Sequence, residues 1–136
     1  MIPLAVFPDA AGAAIDVLTA ALTGRDESYV QGVQFGNERP PVQHQTPFVQ
    51  VAKDDDRITY PILSRVLLRV TVWHSRSDYA HDLAQLCQGL LLCHAGNDIA
   101  SCSPGVGPIA DRDPDTGDEF STFTVNAVLR STVLSS

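Results

Sequence analysis

The sequence predicts an α+β fold: a mixed, mostly antiparallel β-sheet of four to five strands with two α-helices packed on one face. Three observations carry this. Residues 64–74 alternate strictly, Val66, Leu68, Val70 and Val72 against Arg65, Leu67, Arg69, Thr71 and Trp73, as a long half-buried strand does. Residues 76–93 then change to helical spacing, with Tyr79, Leu83, Leu86, Cys87, Leu90 and Leu91 on one stripe. The element order, α-β-β-β-α-β with a further short strand, suits a largely antiparallel sheet carrying two helices.

Taken in chain order, Asp9 is placed to cap a helix over residues 10–23, its carboxylate opposing the positive helix end. Ala14, Ile15, Leu18 and Leu22 share one face of that helix, and Gly24 stops it. Residues 29–38 partly alternate and predict a strand with kinks at Gly32 and Gly36. The proline-bearing stretch from Arg39 to Pro47 reads as an extended connection, and Phe48 to Lys53 as a second strand. Asp54 to Leu63 reads as a charged loop.

The long strand follows, and Ser75 is placed to cap the next helix with Asp78 three residues on, close to a capping box. Asp78, His81, Asp82, Gln85 and Gln88 form its wet face, and Ala95-Gly96-Asn97 ends it. Residues 97–110 are mixed, with a weak strand around Ile99. Asp113-Pro-Asp-Thr-Gly117 is strong turn chemistry, since Pro presets φ and Gly accepts a positive φ. A last strand over residues 118–133 directs Phe123, Val125, Ala127 and Leu129 at the core. The whole, residues 1–136, fits one domain, long enough to bury a core.

Composition narrows the function classes. Apolar residues make up 44% and charged residues 18%, as in a globular chain. No apolar run approaches the ~20 residues that span a bilayer, and the opening Met1 to Pro8 lacks a basic region, so neither membrane span nor signal peptide is expected. The net charge is −7, with one Lys and eight Arg scattered along the chain. Nucleic-acid backbones are held by clustered cations, so conventional nucleic-acid binding is not expected, although an acidic surface repels DNA. Three cysteines, Cys87, Cys93 and Cys102, cannot all pair within one chain and are expected to be reduced.

Candidate chemistry is weak at each place. Asp111-Arg-Asp-Pro-Asp115 begins like a calcium loop, but Gly117 falls seventh and Thr122 twelfth, where an EF-hand needs Gly sixth and Glu twelfth. A solvated hairpin turn accounts for it better. Cys87, Cys93, His94 and Cys102 match no standard zinc spacing, and Cys87 on the buried stripe acts as a small hydrophobe. His44, His74, His81 and His94 accompany no nucleophile elbow, HExxH helix or Walker loop. No catalytic residue, metal or cofactor is expected. Arg65, Leu67, Arg69 and Trp73 stand out instead. Trp and Arg are favoured in contact patches, so this strand face is a candidate subunit interface, against a second packed layer as the plain alternative.

The order of features resembles the tail-terminator proteins of long-tailed bacteriophages (siphoviruses), those of actinobacteriophages in particular. The matching pieces span nearly the whole chain. They begin with Val6-Phe-Pro-Asp9 before an Ala-rich helix, Phe35-Gly-Asn-Glu-Arg-Pro40, and Pro47-Phe-Val-Gln-Val51. Arg69-Val-Thr-Val-Trp-His74 follows, leading into Ser77-Asp-Tyr-Ala80 and Leu83-Ala84. Gly107-Pro108, Asp113-Pro-Asp-Thr-Gly117, and Phe123-Thr-Val125 with Leu129-Arg130 close the pattern. The specificity lies in their order and spacing.

The resemblance implies a structural virion protein rather than an enzyme, working in the tail and neck after assembly in the host cytoplasm. It implies a homo-hexameric ring that caps the tail tube protein, ends tube polymerisation and offers a docking surface to the head–tail connector or stopper. DNA passes through the lumen transiently, without sequence-specific binding. Six copies at −7 carry about −42, a field that keeps DNA off the channel wall. Asp54, Asp55, Asp56, Asp111, Asp113 and Asp115 become candidates for lumen or docking loops. The alternatives are another ring component of neck or tail, either a connector or a tube protein, and a small host enzyme or ligand-binding domain. Tube proteins usually carry a long stacking hairpin, and only residues 53–63 are placed to form one.

Overall fold

The computed structural model describes residues 4–38, 47–59 and 63–134, residues 55–59 as backbone only. The architecture is α+β, with two helices and a mixed, mostly antiparallel sheet of six strands, one more than the upper expectation. In chain order the elements are β1 (Ala5–Val6), α1 (Ala10–Leu22), a 3-10 turn (Ser28–Val30), β2 (Gln34–Gly36) and β3 (Phe48–Thr59). Next come β4 (Leu63–His74), α2 (Ser77–Leu92), β5 (Ile99–Pro104), β6 (Ile109–Arg112), β7 (Glu119–Arg130) and β8 (Thr132–Val133).

β4 lies at the middle, paired from Leu63 to Trp73 with β3 on one side and along its full length with β7 on the other, both antiparallel. β2 adds to the outer side of β3 in parallel, opposite Phe48 to Gln50. β5 and β6 follow one another along the outer edge of β7. The register puts Val49 beside Val72, Val51 beside Val70, and Phe123 and Val125 beside Val70 and Leu68. These side chains form one face, and Leu18 and Leu22 of α1 with Leu83, Cys87 and Leu91 of α2 close over it. All are buried; each Val or Leu so removed from water stabilises the fold by about 1.5–3 kcal/mol.

The predicted β4-to-α2 unit stands as expected, with Val66, Leu68, Val70 and Val72 buried. Ser75 does not cap α2. The N-cap is Arg76, which has no capping side-chain bond; its guanidinium instead pairs with Asp78 and sits over the Tyr79 ring, 4.0 Å from the centroid. Asp9 does stand at the N-cap of α1, but its carboxylate makes no capping bond there. At the other end Thr23 Oγ1 donates to Thr19 O, and Gly24 turns the chain away at φ +82.

Two segments differ more. The strand expected over residues 29–38 shrinks to β2, because Gly32 takes a positive φ of 74 and Ser28–Val30 winds into the 3-10 turn, burying Val30. The charged loop expected from Asp54 to Leu63 is largely strand, since β3 runs on to Thr59 opposite β4. β4 needs partners for its backbone groups on that side, and the extension supplies them. Acidic residues are tolerated because β3 beyond Gln50 has no strand on its outer side among the described residues. A bulge between Lys53 and Asp55 absorbs the one-residue shift. Residues 39–46 of the predicted connection, His44 included, and 60–62 lie outside the described residues.

The last strand ends earlier than expected, at Arg130. The chain then enters β8, which pairs with β1 as a separate two-stranded ribbon. β6 has no counterpart in the predicted elements.

Candidate functional site

The two faces of the sheet differ because both helices pack on one of them. On β4, even-numbered residues from Ser64 to Val72 are buried, whereas Arg65 and Arg69 are exposed and Leu67 and Thr71 half-buried. Across the same open face stand Thr122, Thr124, Asn126 and Val128 of β7, and Gln50 of β3. Thr122 Oγ1 donates to Thr71 Oγ1 at 3.5 Å. Arg65, Asn126 and Val128 help to line a shallow cavity of about 420 Å³. Among the described residues no helix packs on this face.

Of the four residues predicted for an interface, the structure brings Arg65, Leu67 and Arg69 together on that open surface. Trp73 is the correction. It lies on the same side of β4 but is only 5% exposed, its ring tilted against Phe120 at a centroid distance of 4.8 Å. A large aromatic beside another across a strand pair buries its own surface before any partner arrives. Trp73 is therefore a packing residue at one end of the face.

The acidic candidates separate in the same way. Asp54, Asp55 and Asp56 lie in β3 and not in a loop. Asp54 pairs with Arg69 at 2.8 Å across the strands, beside the bulge. Acids and a bulge on an outer strand blunt an edge that would otherwise template pairing with another chain. Asp113 is no docking group either, being buried to 6% exposure. Its Oδ1 accepts from the Asp115 N–H at 2.8 Å and the Thr116 N–H at 3.2 Å, stapling the predicted turn, where Gly117 takes φ +76. Asp111 and Asp115 remain exposed.

The chemistry-bearing residues are dispersed. His74 meets the Tyr79 ring edge-on, His81 is on the wet side of α2, and His94 follows that helix. Cys87, Cys93 and Cys102 are free thiols. Burial pushes the Cys87 thiol up to about 12 and the Cys102 thiol up to about 11, so neither is an activated nucleophile. Among the described residues no group of three or more His, Cys, Asp or Glu is placed to hold a metal ion. A cleft of about 490 Å³ at the end of α1 contains Arg25, whose guanidinium is engaged by Glu27 at 2.6 Å. A second, of about 340 Å³, is lined by Asp16, His94, Asn97 and Asp98.

Two apolar surfaces had no signal in the sequence. Leu4, Val6 and Val133 are 53%, 45% and 63% exposed on the terminal ribbon, where β1 meets β8 from the far end of the chain. Val106 and Ile109 are exposed where the chain from Gly105 to Pro108 is laid against β7. There the Thr124 N–H donates to Val106 O, and Gly105 and Val106 N–H donate to Thr124 O and Oγ1. Comparison with models of known protein families gives no match to this chain, and comparison with curated proteins gives none either.

Proposed function

We propose that this chain is a structural ring subunit of a siphovirus tail, acting as the terminator that caps the tail tube and receives the head connector. The observation that carries the reading is the one-sided sheet: helices cover one face, while Arg65, Leu67 and Arg69 stand on the other with no helix over them among the described residues. A sheet face with Arg and Leu side by side suits protein contact more than solvent display. The order of sequence motifs supplies the particular assembly. A subunit of this kind works through its faces, and heterologous contacts between them that close on themselves make a ring.

The second reading is another ring component, a connector or a tube protein. The β3–β4 hairpin is longer than the sequence predicts, which speaks for a tube protein. However, β4 is paired to β7 from Leu63 to His74, so the hairpin is part of the sheet body and not a projecting arm. That favours the terminator. Deleting the gene from the phage genome that carries it is expected to yield over-long tails without heads. Tails of normal length that fail to join heads would transfer the role to a connector. Unchanged infectious particles would sink the structural reading altogether.

A further inference from the structure

The two layers differ in their balance of charge. On the open sheet face Arg65, Arg69 and Arg130 stand with Asp54, which pairs with Arg69, and the exposed Asp111; Arg130 Nε donates to Gly96 O, and Arg65 has no ion-pair partner among the described residues. Around the helix layer Asp16, Asp82 and Asp98 are exposed and make no ion pair among the described residues. Of the cations on that side, Arg25 and Arg76 are already engaged by Glu27 and Asp78, and Lys53 stands beside Asp9 at the start of α1, which leaves the acids in the majority. The helix layer is therefore left net acidic, and the opposite face holds a free cation beside apolar Leu67.

We infer that a second copy of this chain docks its acidic helix layer, through Asp16 and Asp82, on the open sheet face at Arg65, Leu67 and Arg69. The inference rests on the ring-subunit reading and specifies its contact. Two features commit the occupant to a second copy in this orientation. The face is complementary in charge to the helix layer, whereas helix layer against helix layer places acids against acids. The contact is also heterologous: the surface used on one copy differs from that used on the next, so each docked copy presents a fresh face for another. Arg69 keeps its Asp54 partner and contributes as part of that pair, while Arg65 is the cation left for the incoming copy.

The test uses two surface variants and their mixture, read by sedimentation velocity and light scattering on purified full-length protein. Arg65→Glu with Arg69→Glu reverses the sheet face; Asp16→Arg with Asp82→Arg reverses the helix layer. All four positions are exposed, so far-UV circular dichroism is expected to be unchanged for both. The wild type should self-associate, and each double variant alone should show a dissociation constant raised about 100-fold or more. Mixed together, the two variants should associate again and grow beyond a pair, because the wild-type helix layer of one meets the wild-type sheet face of the other and the two reversed surfaces are themselves opposite in charge. Self-association of the Asp16→Arg, Asp82→Arg variant would overturn the inference, since the sheet face would then be pairing with itself. Wild-type behaviour of the Arg65→Glu, Arg69→Glu variant, or a mixture that stays monomeric, would overturn it too. A wild type that is monomeric at every concentration also overturns it, while the deletion phenotype judges the terminator reading independently.

Discussion

Replacing Trp73 tests whether the open face begins where the packing ends. The indole is 5% exposed and lies 4.8 Å from Phe120, centroid to centroid. Trp→Ala at a buried site costs about 3–5 kcal/mol, and the aromatic pair accounts for about 0.5–1.5 kcal/mol of that. For 136 residues each kcal/mol moves the midpoint by about 3–5 °C, so Trp73→Ala should lower Tm by roughly 10–20 °C. Trp73→Phe should lose less, because a ring still meets Phe120. Trp73→Asp adds an unpaired buried charge, and against a typical stability of about 5–15 kcal/mol it should be largely unfolded. Thermal melts and urea titrations followed by far-UV circular dichroism give the ordering. In the wild type, emission from this sole tryptophan should report a buried indole. A folded Trp73→Asp with a near-wild-type midpoint, or a Trp73→Ala loss below about 1 kcal/mol, would refute the reasoning and return Trp73 to the exposed surface.

Glycines provide a matched pair of predictions. A Cβ at Gly107, where φ is +90, would lie 2.5 Å from Thr122 O, so Gly107→Ala should destabilise by more than about 1 kcal/mol in urea titration. Gly89 lies in the last turn of α2, where an added methyl would meet nothing within 4 Å, and Gly89→Ala should stabilise by about 0.5–1 kcal/mol in the same assay. The thiols predict an alkaline effect. Cys87 rises from 9.0 in the unfolded chain to about 12 when buried, so between those values the unfolded state has lost the proton and the native state has not. The unfolded state then binds fewer protons, and stability falls as pH rises from about 9 towards 12. Comparing Cys87→Ala with the wild type isolates this term: the alkaline decline should be shallower in the variant, and identical slopes would exclude it.

The β4–α2 unit is readable from sequence because its burial is decided locally: strict alternation marks β4, and the Leu-rich stripe marks α2. β7 reads equally well, with Phe123, Val125, Ala127 and Leu129 all buried. The errors arise where a distant partner decides. Three consecutive aspartates have poor strand propensity, yet β3 continues through them because β4 offers a full ladder. β6 is exposed at all four residues, so it has no burial rhythm and exists only by pairing with β7. Trp73 follows the predicted parity of β4, but Phe120 on β7 buries it, and nothing near it in the sequence announces that contact. At the turn, Asp113-Pro-Asp-Thr-Gly117 correctly signals a reversal; that the Asp113 carboxylate staples its interior depends on the exact path of the following N–H groups.

The charge separation between the layers is a consequence of this fold rather than an addition to it. Alternation on β4 sends its arginines to one side once the valines and leucines take the other, and the wet face of α2 carries acids at Asp78 and Asp82. Only an element that covered the sheet face would neutralise the difference, and no helix does so among the described residues. Ion pairs at a wet rim contribute little affinity, and fields are screened within about 8 Å at physiological salt. Charge therefore selects the orientation of approach, and Leu67 with the Thr71–Thr122 row supplies the surface to be covered once the copies meet. On this account added salt should slow association more than it speeds dissociation, a kinetic signature that a purely apolar contact would not show.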